Sequence, residues 1–573
     1  MWCKSCNIET NEEKCPVCGN DTVSDEDITT KIYWCRRCNI PVIQRVNQAD
    51  RGICPLCSGK MRYLAMDLRP VFPEERLLLE ILLDKSPNEF AESSVWAVNN
   101  RYYIDGKSIS LSNELFQNVD TNAVLEKINQ YKGMNQGEVF DKYIEKCILA
   151  NRNRTNHIKD EAYTFVKRAA KEFEEEKIVI SFSGGKDSTV TADVVIKALS
   201  NPNLVHIFGN TTLEFPSTVA YAKRYHTNHS QSNFLTAKNM EQNFYDVCED
   251  IGPPARMMRW CCSMFKTGPI TRVLNSLYRN QQILTFYGIR KFESVSRSKY
   301  NRIEDDAENV KIQQQTVASP IFFWKDMDIW LYILSEKIDF NEAYRLGYDR
   351  VGCWCCPNNN PRAQFLSRIY MPEDAKKWRD FLIGFAKKVG KPDAEVYVDT
   401  GMWKARQGGN GLPSAGDVKI RFTNCTTEEH AKIYRLVRPF DDELIGMFVP
   451  FGRVAPELGK KLLNEVIVLD IKTNVPILSI QPFGQEGYEY AVKIRTMNVA
   501  DHEALQRMAG YQIRKFNACR KCLKCESLCK AGAISIMGDS YYINPEKCIH
   551  CKMCVSPKYL DGGCMMDKYL RTK

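Results

Sequence analysis

All but three of the 24 cysteines in this 573-residue chain stand in close-spaced groups, and such spacing in a long chain suits metals and redox centres better than disulfides. Four CxxC turns open the sequence: Cys3/Cys6, Cys15/Cys18, Cys35/Cys38 and Cys54/Cys57. One such turn presents two thiolates, and two turns complete a tetrahedral zinc shell. Residues 1–65 therefore read as two zinc ribbons holding two structural Zn2+, with sequential and crossed pairing of the turns both open. Trp34, Arg36, Arg37 and Arg45 are their candidate surface for nucleic acid, set against a purely structural role. The other end carries Cys519, Cys522, Cys525 and Cys529, then Cys548, Cys551 and Cys554, then Cys564 after nine residues. Three cysteines in a CxxCxxC turn wrap one corner of an iron-sulfur cube, and the fourth ligand comes from the other run. Midway lie Cys261-Cys262 and Cys353-Trp354-Cys355-Cys356, which suit a further cluster or, alternatively, buried free thiols. Cys147, Cys248 and Cys425 are isolated and read as core residues.

A second kind of chemistry is written at 178–199. The apolar run Ile178 to Phe182 leads into Ser183-Gly184-Gly185-Lys186-Asp187-Ser188 and then a helical pattern with Val190, Val194, Val195 and Ala198. Strand, tight glycine turn and helix start together form an anion cradle, because backbone N–H groups and the helix dipole converge there. The Walker A pattern is absent. From its position alone Asp187 reads as a helix N-cap.

The last cysteine group resembles a bacterial-type ferredoxin with two [4Fe-4S] clusters. That resemblance assigns Cys519, Cys522, Cys525 and Cys564 to one cluster and Cys529, Cys548, Cys551 and Cys554 to the other. Lys530 replaces the usual Pro, and the gap before Cys564 is longer than the pattern's. SGGKDS resembles the PP-loop of ATP pyrophosphatases, and the motifs that follow resemble the phosphoadenosine phosphosulfate (PAPS) reductase-like branch. They are Asn210 to Pro216; Arg259 to Cys262 with Lys266; Gly288 to Ser294 with Arg297; Pro320 to Trp330 with Asp326; and Gly352 to Pro357. The resemblance implies a third [4Fe-4S] cluster on Cys261, Cys262, Cys353 and Cys356, although relatives with three cysteines leave the place of Cys261 open. It also implies ATP with Mg2+ at Ser183, Gly184, Gly185, Lys186, Asp187 and Ser188, with Thr211, Thr212 and Glu214 at the neighbouring strand end. Lys186, Asp187, Arg290 and Arg297 are the candidate catalytic residues.

The intact loop lysine favours ATP over a ready-made sulfonucleotide, and no reductase-type nucleophilic cysteine motif ends the chain. The resulting expectation is an ATP-dependent enzyme that forms AMP and pyrophosphate. It would transfer sulfur to a nucleic acid, tRNA or DNA, with electrons from its own ferredoxin and a sulfur donor such as a cysteine desulfurase. The alternatives are an APS/PAPS reductase and a redox-sensing nucleic-acid-binding protein.

Positioning these groups takes several domains, as the length requires. The expected fold is multidomain: zinc ribbons at 1–65, a small α+β adaptor at 66–150 that is PUA-like in outline, and a PP-loop domain of the adenine nucleotide alpha hydrolase-like type at 151–395. This α/β core has a parallel sheet. A connecting α+β module at 396–508 and a ferredoxin-like α+β domain at 509–573 follow. A helix at Glu74 to Leu83, a strand-turn-strand at Val95 to Ile109 turning on Asp105-Gly106, and a charged helix from 151 are the local expectations. The net charge of +9 is modest for a dedicated nucleic-acid binder. With no apolar run near membrane-spanning length and no signal-like start, the expectation is a cytoplasmic protein without a membrane partner.

Overall fold

The structure is a computed structural model that describes all residues except 1, 4–7, 10–12, 24–29, 47–49, 135–136, 279–280, 296, 306–311, 313–314 and 573. Cys6 lies outside the described residues. Two small antiparallel sheets come first. In one, Trp2–Cys3 pairs with Ile8–Glu9 and Thr22–Val23; in the other, Thr30–Cys35 lies between Ile40–Arg45 and Arg62–Ala65. Trp34 is 1% exposed, its indole beneath Gly106, where a Cβ would stand 2.6 Å from the ring nitrogen. It is therefore a packing residue rather than part of a docking face.

Helix Pro73–Leu82 begins with proline at its first turn, where no N–H is needed. A meander of Arg69–Pro70, Val95–Val98, Arg101–Ile104 and Lys107–Ser110 follows, with two turns where one was expected. Asn99, at φ 51°, makes the additional reversal, because asparagine tolerates the left-handed region nearly as glycine does. Buried Glu75 ties this unit to the central domain. It accepts from Arg69 at 2.6 and 2.7 Å and from Tyr102 at 2.8 Å, and it pairs with Arg362.

One 33-residue helix, Glu138–Ala170, crosses the boundary drawn at 150. Its buried stripe runs through Ile144, Cys147, Asn151, Thr155, Ile158, Ala162 and Phe165, spaced three or four apart as a core-facing helix demands. It covers the central sheet, whose strand order is Asn233–Lys238, Val205–Asn210, Ile178–Phe182, Ile283–Phe286, Gln315–Ala318, Ile303–Glu304. All pairings are parallel except the last. The first strand in sequence thus lies in the middle, and chain order reverses on either side of it, which is where open α/β sheets bind ligands.

Residues 422–496 build a six-stranded sheet with antiparallel pairing throughout. Helix His502–Ala518 packs on it and delivers the chain to Cys519. The last segment has helix Lys524–Leu528, the hairpin Ile534–Met537/Ser540–Ile543 and helix Met565–Leu570. Among the described residues no helix is long and apolar enough to cross a membrane.

Candidate functional site

The central strand Ile178–Phe182 ends in the SGGKDS turn, and helix Lys186–Leu199 starts at once. Gly184 adopts φ 70°, which a side chain would strain, and a Cβ there would meet Thr218 at 2.8 Å. The Ser188 hydroxyl donates to the Gly185 carbonyl at 2.8 Å and accepts from the Ser183 N–H at 3.1 Å. Ser188 therefore braces the loop internally. Gly288 has no side chain for a reason of space: a Cβ would lie 2.7 Å from the Asp187 carbonyl carbon and oxygen. The Gly288-Ile289-Arg290 backbone consequently runs against the loop and brings Arg290 to it.

Lys186 is 3% exposed, with its ammonium 3.3 Å from Asp187 and 3.1 Å from Asp326. Arg290 lies 2.7 Å from Asp187 and 2.8 Å from Asp326. Two cations and two carboxylates thus alternate around one point at the helix start. Burial alone would lower Lys186, but Asp187 and Asp326 reverse this and hold it above its ordinary range. Burial would likewise raise Asp187, and Arg290 and Lys186 outweigh it and hold the carboxyl below the usual range. Both groups are therefore charged at neutral pH. Arg297 pairs with Glu293, which also pairs with Arg350, and so stands behind the quartet rather than in it.

Two participants carry no local signal in the sequence. The Tyr344 hydroxyl accepts the Lys186 backbone N–H at 3.0 Å, and its ring faces the ammonium at 5.3 Å. Asp67, just past the second cysteine-turn sheet, accepts the N–H groups of Asp326 at 2.9 Å and Met327 at 3.2 Å. These are the first donors of helix Asp326–Ser335, so Asp67 caps that helix from 259 residues away. The Lys325 ammonium donates to the Thr30 carbonyl at 2.9 Å and to that of Met66. Burial, followed by the Asp326 carboxylate, pushes Asp67 up to about 6.

The next strand end touches the central cysteines. The Thr211 hydroxyl donates to Glu214 at 2.6 Å and lies 3.5 Å from Cys353 Sγ. The backbones of Glu214 and Cys353 pair in an isolated antiparallel bridge, in which the Trp354 N–H donates to the Leu213 carbonyl at 2.9 Å. Thr212, with φ 66°, makes the bend and is exposed. Opposite, Arg259 points at Cys262 Sγ, 3.6 Å away. A hydrogen bond from Cys261, aided by Arg259 and opposed by burial, pulls Cys262 down to about 5. A thiolate is the form that ligates metal. Cys355 is buried in the core with Trp260 and Trp378, while Cys353 and Cys356 are half-buried.

The cysteine sets differ in spacing. The sulfurs of Cys35, Cys38, Cys54 and Cys57 lie within 4.8 Å of one another, as do those of Cys3, Cys15 and Cys18. Cys35–Cys57 is 3.5 Å and Cys38–Cys54 3.9 Å, close to the roughly 3.8 Å between tetrahedral sulfurs bonded to one zinc at 2.3 Å. The turns are thereby paired sequentially. Among the described residues no other group of three or more is so tight. In the C-terminal segment burial, aided by Cys519 and Cys525, pushes Cys564 up to about 12, and burial, opposed by Lys515 and aided by Cys525, Cys529 and Cys548, pushes Cys554 up to about 12, so Cys525 stands near both runs.

Comparison with known proteins agrees with the loop and its sheet. Residues 177–359 match the phosphoadenosine phosphosulfate reductase domain. An uncharacterized protein of Methanocaldococcus jannaschii is 28% identical over 300 residues, which are 51% of this chain and 60% of that protein. The adenosine 5'-phosphosulfate reductase of Staphylococcus epidermidis is 26% identical over 197 residues, 34% of this chain and 76% of that enzyme. The crystal structure of PAPS reductase from Candida auris covers 36% of this chain and 97% of its own at 17% identity and a TM-score of 0.28, too low to bear on function. The chain thus spans about 60% of the length of its archaeal relative. The residues that match this domain hold the SGGKDS loop and the whole of the mostly parallel central sheet.

Proposed function

We propose that this chain activates a nucleic-acid acceptor with ATP, releasing pyrophosphate, and transfers sulfur to it beside the central cysteines. The observation that carries this reading is the complete loop, with Lys186 and Arg290 converging on the helix start beside two carboxylates. The departing pyrophosphate needs fixed positive charge, and Lys186, Arg290 and the loop N–H groups are aimed where it would lie. Asp187 and Asp326 are the oxygen donors that would hold Mg2+ once phosphate oxygens take over the lysine. Thr211 and Glu214 follow the strand paired with the loop's own and touch Cys353, so an activated acceptor would stand toward the thiols. Cys261, Cys262, Cys353 and Cys356 would hold a [4Fe-4S] cluster, which when bound supplies electrons or sulfur chemistry. The two C-terminal sets would hold two more, and the N-terminal turns two Zn2+.

The test is anaerobic ATP turnover by the reconstituted full chain, resolving AMP plus pyrophosphate from ADP plus phosphate, with tRNA, DNA or neither. AMP formation stimulated by one nucleic acid and lost in Lys186→Ala is the expected result. Absence of AMP under every condition overturns it. A second reading, reduction of APS or PAPS, draws on the reductase relatives and predicts sulfite release without ATP.

A further inference from the structure

The C-terminal segment is fastened to the central domain where that domain carries its cysteines. Cys261-Cys262 run directly into a π-helical turn, Ser263–Thr267, and helix Gly268–Tyr278. Both pack on helix Lys524–Leu528, which bears Cys525. At Gly268 a Cβ would stand 2.7 Å from Leu523 Cβ, so the Cys522-Leu523 turn seats on bare backbone. Arg272 forks onto Glu526 at 2.9 and 3.1 Å and reaches the Ile536 carbonyl at 2.6 Å. Arg520 bridges Asp250 and Asp417. Cys522, Cys564 and Tyr569 share one buried core with Trp260, Met264 and Cys355, and Cys261 packs against it.

Burial grades the thiols in the opposite direction. In one set Cys522, Cys525 and Cys564 are buried and Cys519 half-buried; in the other Cys551 is exposed, Cys529 and Cys548 are half-buried and Cys554 alone is buried. Ile549 beside them is 62% exposed. Between the two sets lies Lys515, 1% exposed, whose ammonium donates to the Cys554 carbonyl.

We infer that the three cysteine sets form one directional electron path. Electrons are accepted at Cys529, Cys548, Cys551 and Cys554, pass to the set of Cys519, Cys522, Cys525 and Cys564, and cross the Cys522-Leu523/Tyr569 joint to Cys261, Cys262, Cys353 and Cys356. This rests on the cluster reading above and gives it a sequence and a point of access. Each transfer moves one electron from an external one-electron carrier protein inward, and no bond is made or broken. The more exposed outer set meets the carrier; the joint, being buried and closely packed, places the inner set beside the nucleotide domain.

The test uses the full chain, reconstituted anaerobically, analysed for iron, sulfide and zinc, and reduced stepwise with sodium dithionite. Neither ATP nor acceptor is present, so its outcome is independent of the adenylation assay. Electron paramagnetic resonance is expected to show the inner centre broadened by magnetic interaction with both neighbours. Cys261→Ser with Cys356→Ser is expected to remove the part due to the central site and to leave the C-terminal signals. Arg272→Glu, which sets like charge against Glu526, is expected to keep the full iron content and lose the interaction across the joint. Fully loaded wild-type protein whose spectrum is a sum of non-interacting centres overturns the path. Zinc in place of iron at these cysteines overturns it together with the cluster reading.

Discussion

Replacing Asp67 by alanine tests whether the N-terminal unit is part of the nucleotide site. The substitution strips the acceptor from two backbone donors, Asp326 N–H and Met327 N–H, at the start of helix Asp326–Ser335. Loss of a helix cap costs about 0.5–2 kcal/mol, and a buried donor left unpaired about 1–3 kcal/mol. Water admitted to the vacated space offsets part of this, leaving about 1–2 kcal/mol to loosen the helix start. Asp326 is the residue there that holds both Lys186 and Arg290. Its displacement should therefore appear as a loss of ATP affinity of roughly five- to thirtyfold, at about 1.4 kcal/mol per factor of ten. Asp67→Asn keeps one oxygen acceptor and should lie between alanine and wild type. Titration calorimetry with ATP, with Lys186→Ala as the floor, measures this, and urea unfolding of the same samples measures stability. Unchanged ATP affinity in Asp67→Ala, with or without a fall in global stability, would refute the reasoning.

Three other outcomes are expected. Gly288→Ala puts a Cβ 2.7 Å from the Asp187 backbone, so the loop must shift, at about 1–3 kcal/mol, and nucleotide affinity should fall with little change in secondary structure by circular dichroism. Cys54→Ser removes one thiolate of the four-sulfur site and should release the metal held with Cys35, Cys38 and Cys57 while sparing the Cys3, Cys15 and Cys18 site, as metal analysis of the purified variant would show. Burial holds His206 down at about 4, with its Nδ1 2.9 Å from the Leu204 carbonyl, so the folded state keeps it neutral where the unfolded chain protonates near 6.5. Its contribution is complete above pH 6.5 and is lost progressively as pH falls toward 4; at pH 5.5 about 1.4 kcal/mol should be gone, seen as the wild-type minus His206→Gln difference in denaturant unfolding.

The loop and its flanks were legible because everything they need is contiguous. The apolar run at 178–182, the two glycines and the 3.6-residue pattern after Lys186 specify strand, turn and helix within 22 residues, and the structure has Ile178–Phe182 and Lys186–Leu199. The sequential pairing of the cysteine turns was open in the sequence, because spacing fixes each knuckle but not its partner; the sulfur distances decide it. The long helix starts at Glu138 rather than at the expected 151, because the charge-dense stretch Glu138 to Lys146 masks a stripe that already runs from Ile144. Asp67 and Tyr344 were not legible as site residues. Each acts across the fold on a backbone group, and neither such a contact nor its sequence separation leaves a local pattern.

The clasp of Asp67 on the Asp326 helix also orders events in time. At about 5–20 residues per second, a ribosome makes the helix some 13–50 s after Asp67. During that interval the cysteine turns at 35–57 can load metal and close, since all four thiols leave the ribosome long before Asp326 is made. The N-terminal unit is then a finished template when Lys325 arrives to find the Thr30 and Met66 carbonyls. Metal starvation during synthesis should thus damage the nucleotide pocket, although the pocket's own loop contains no metal-binding cysteine.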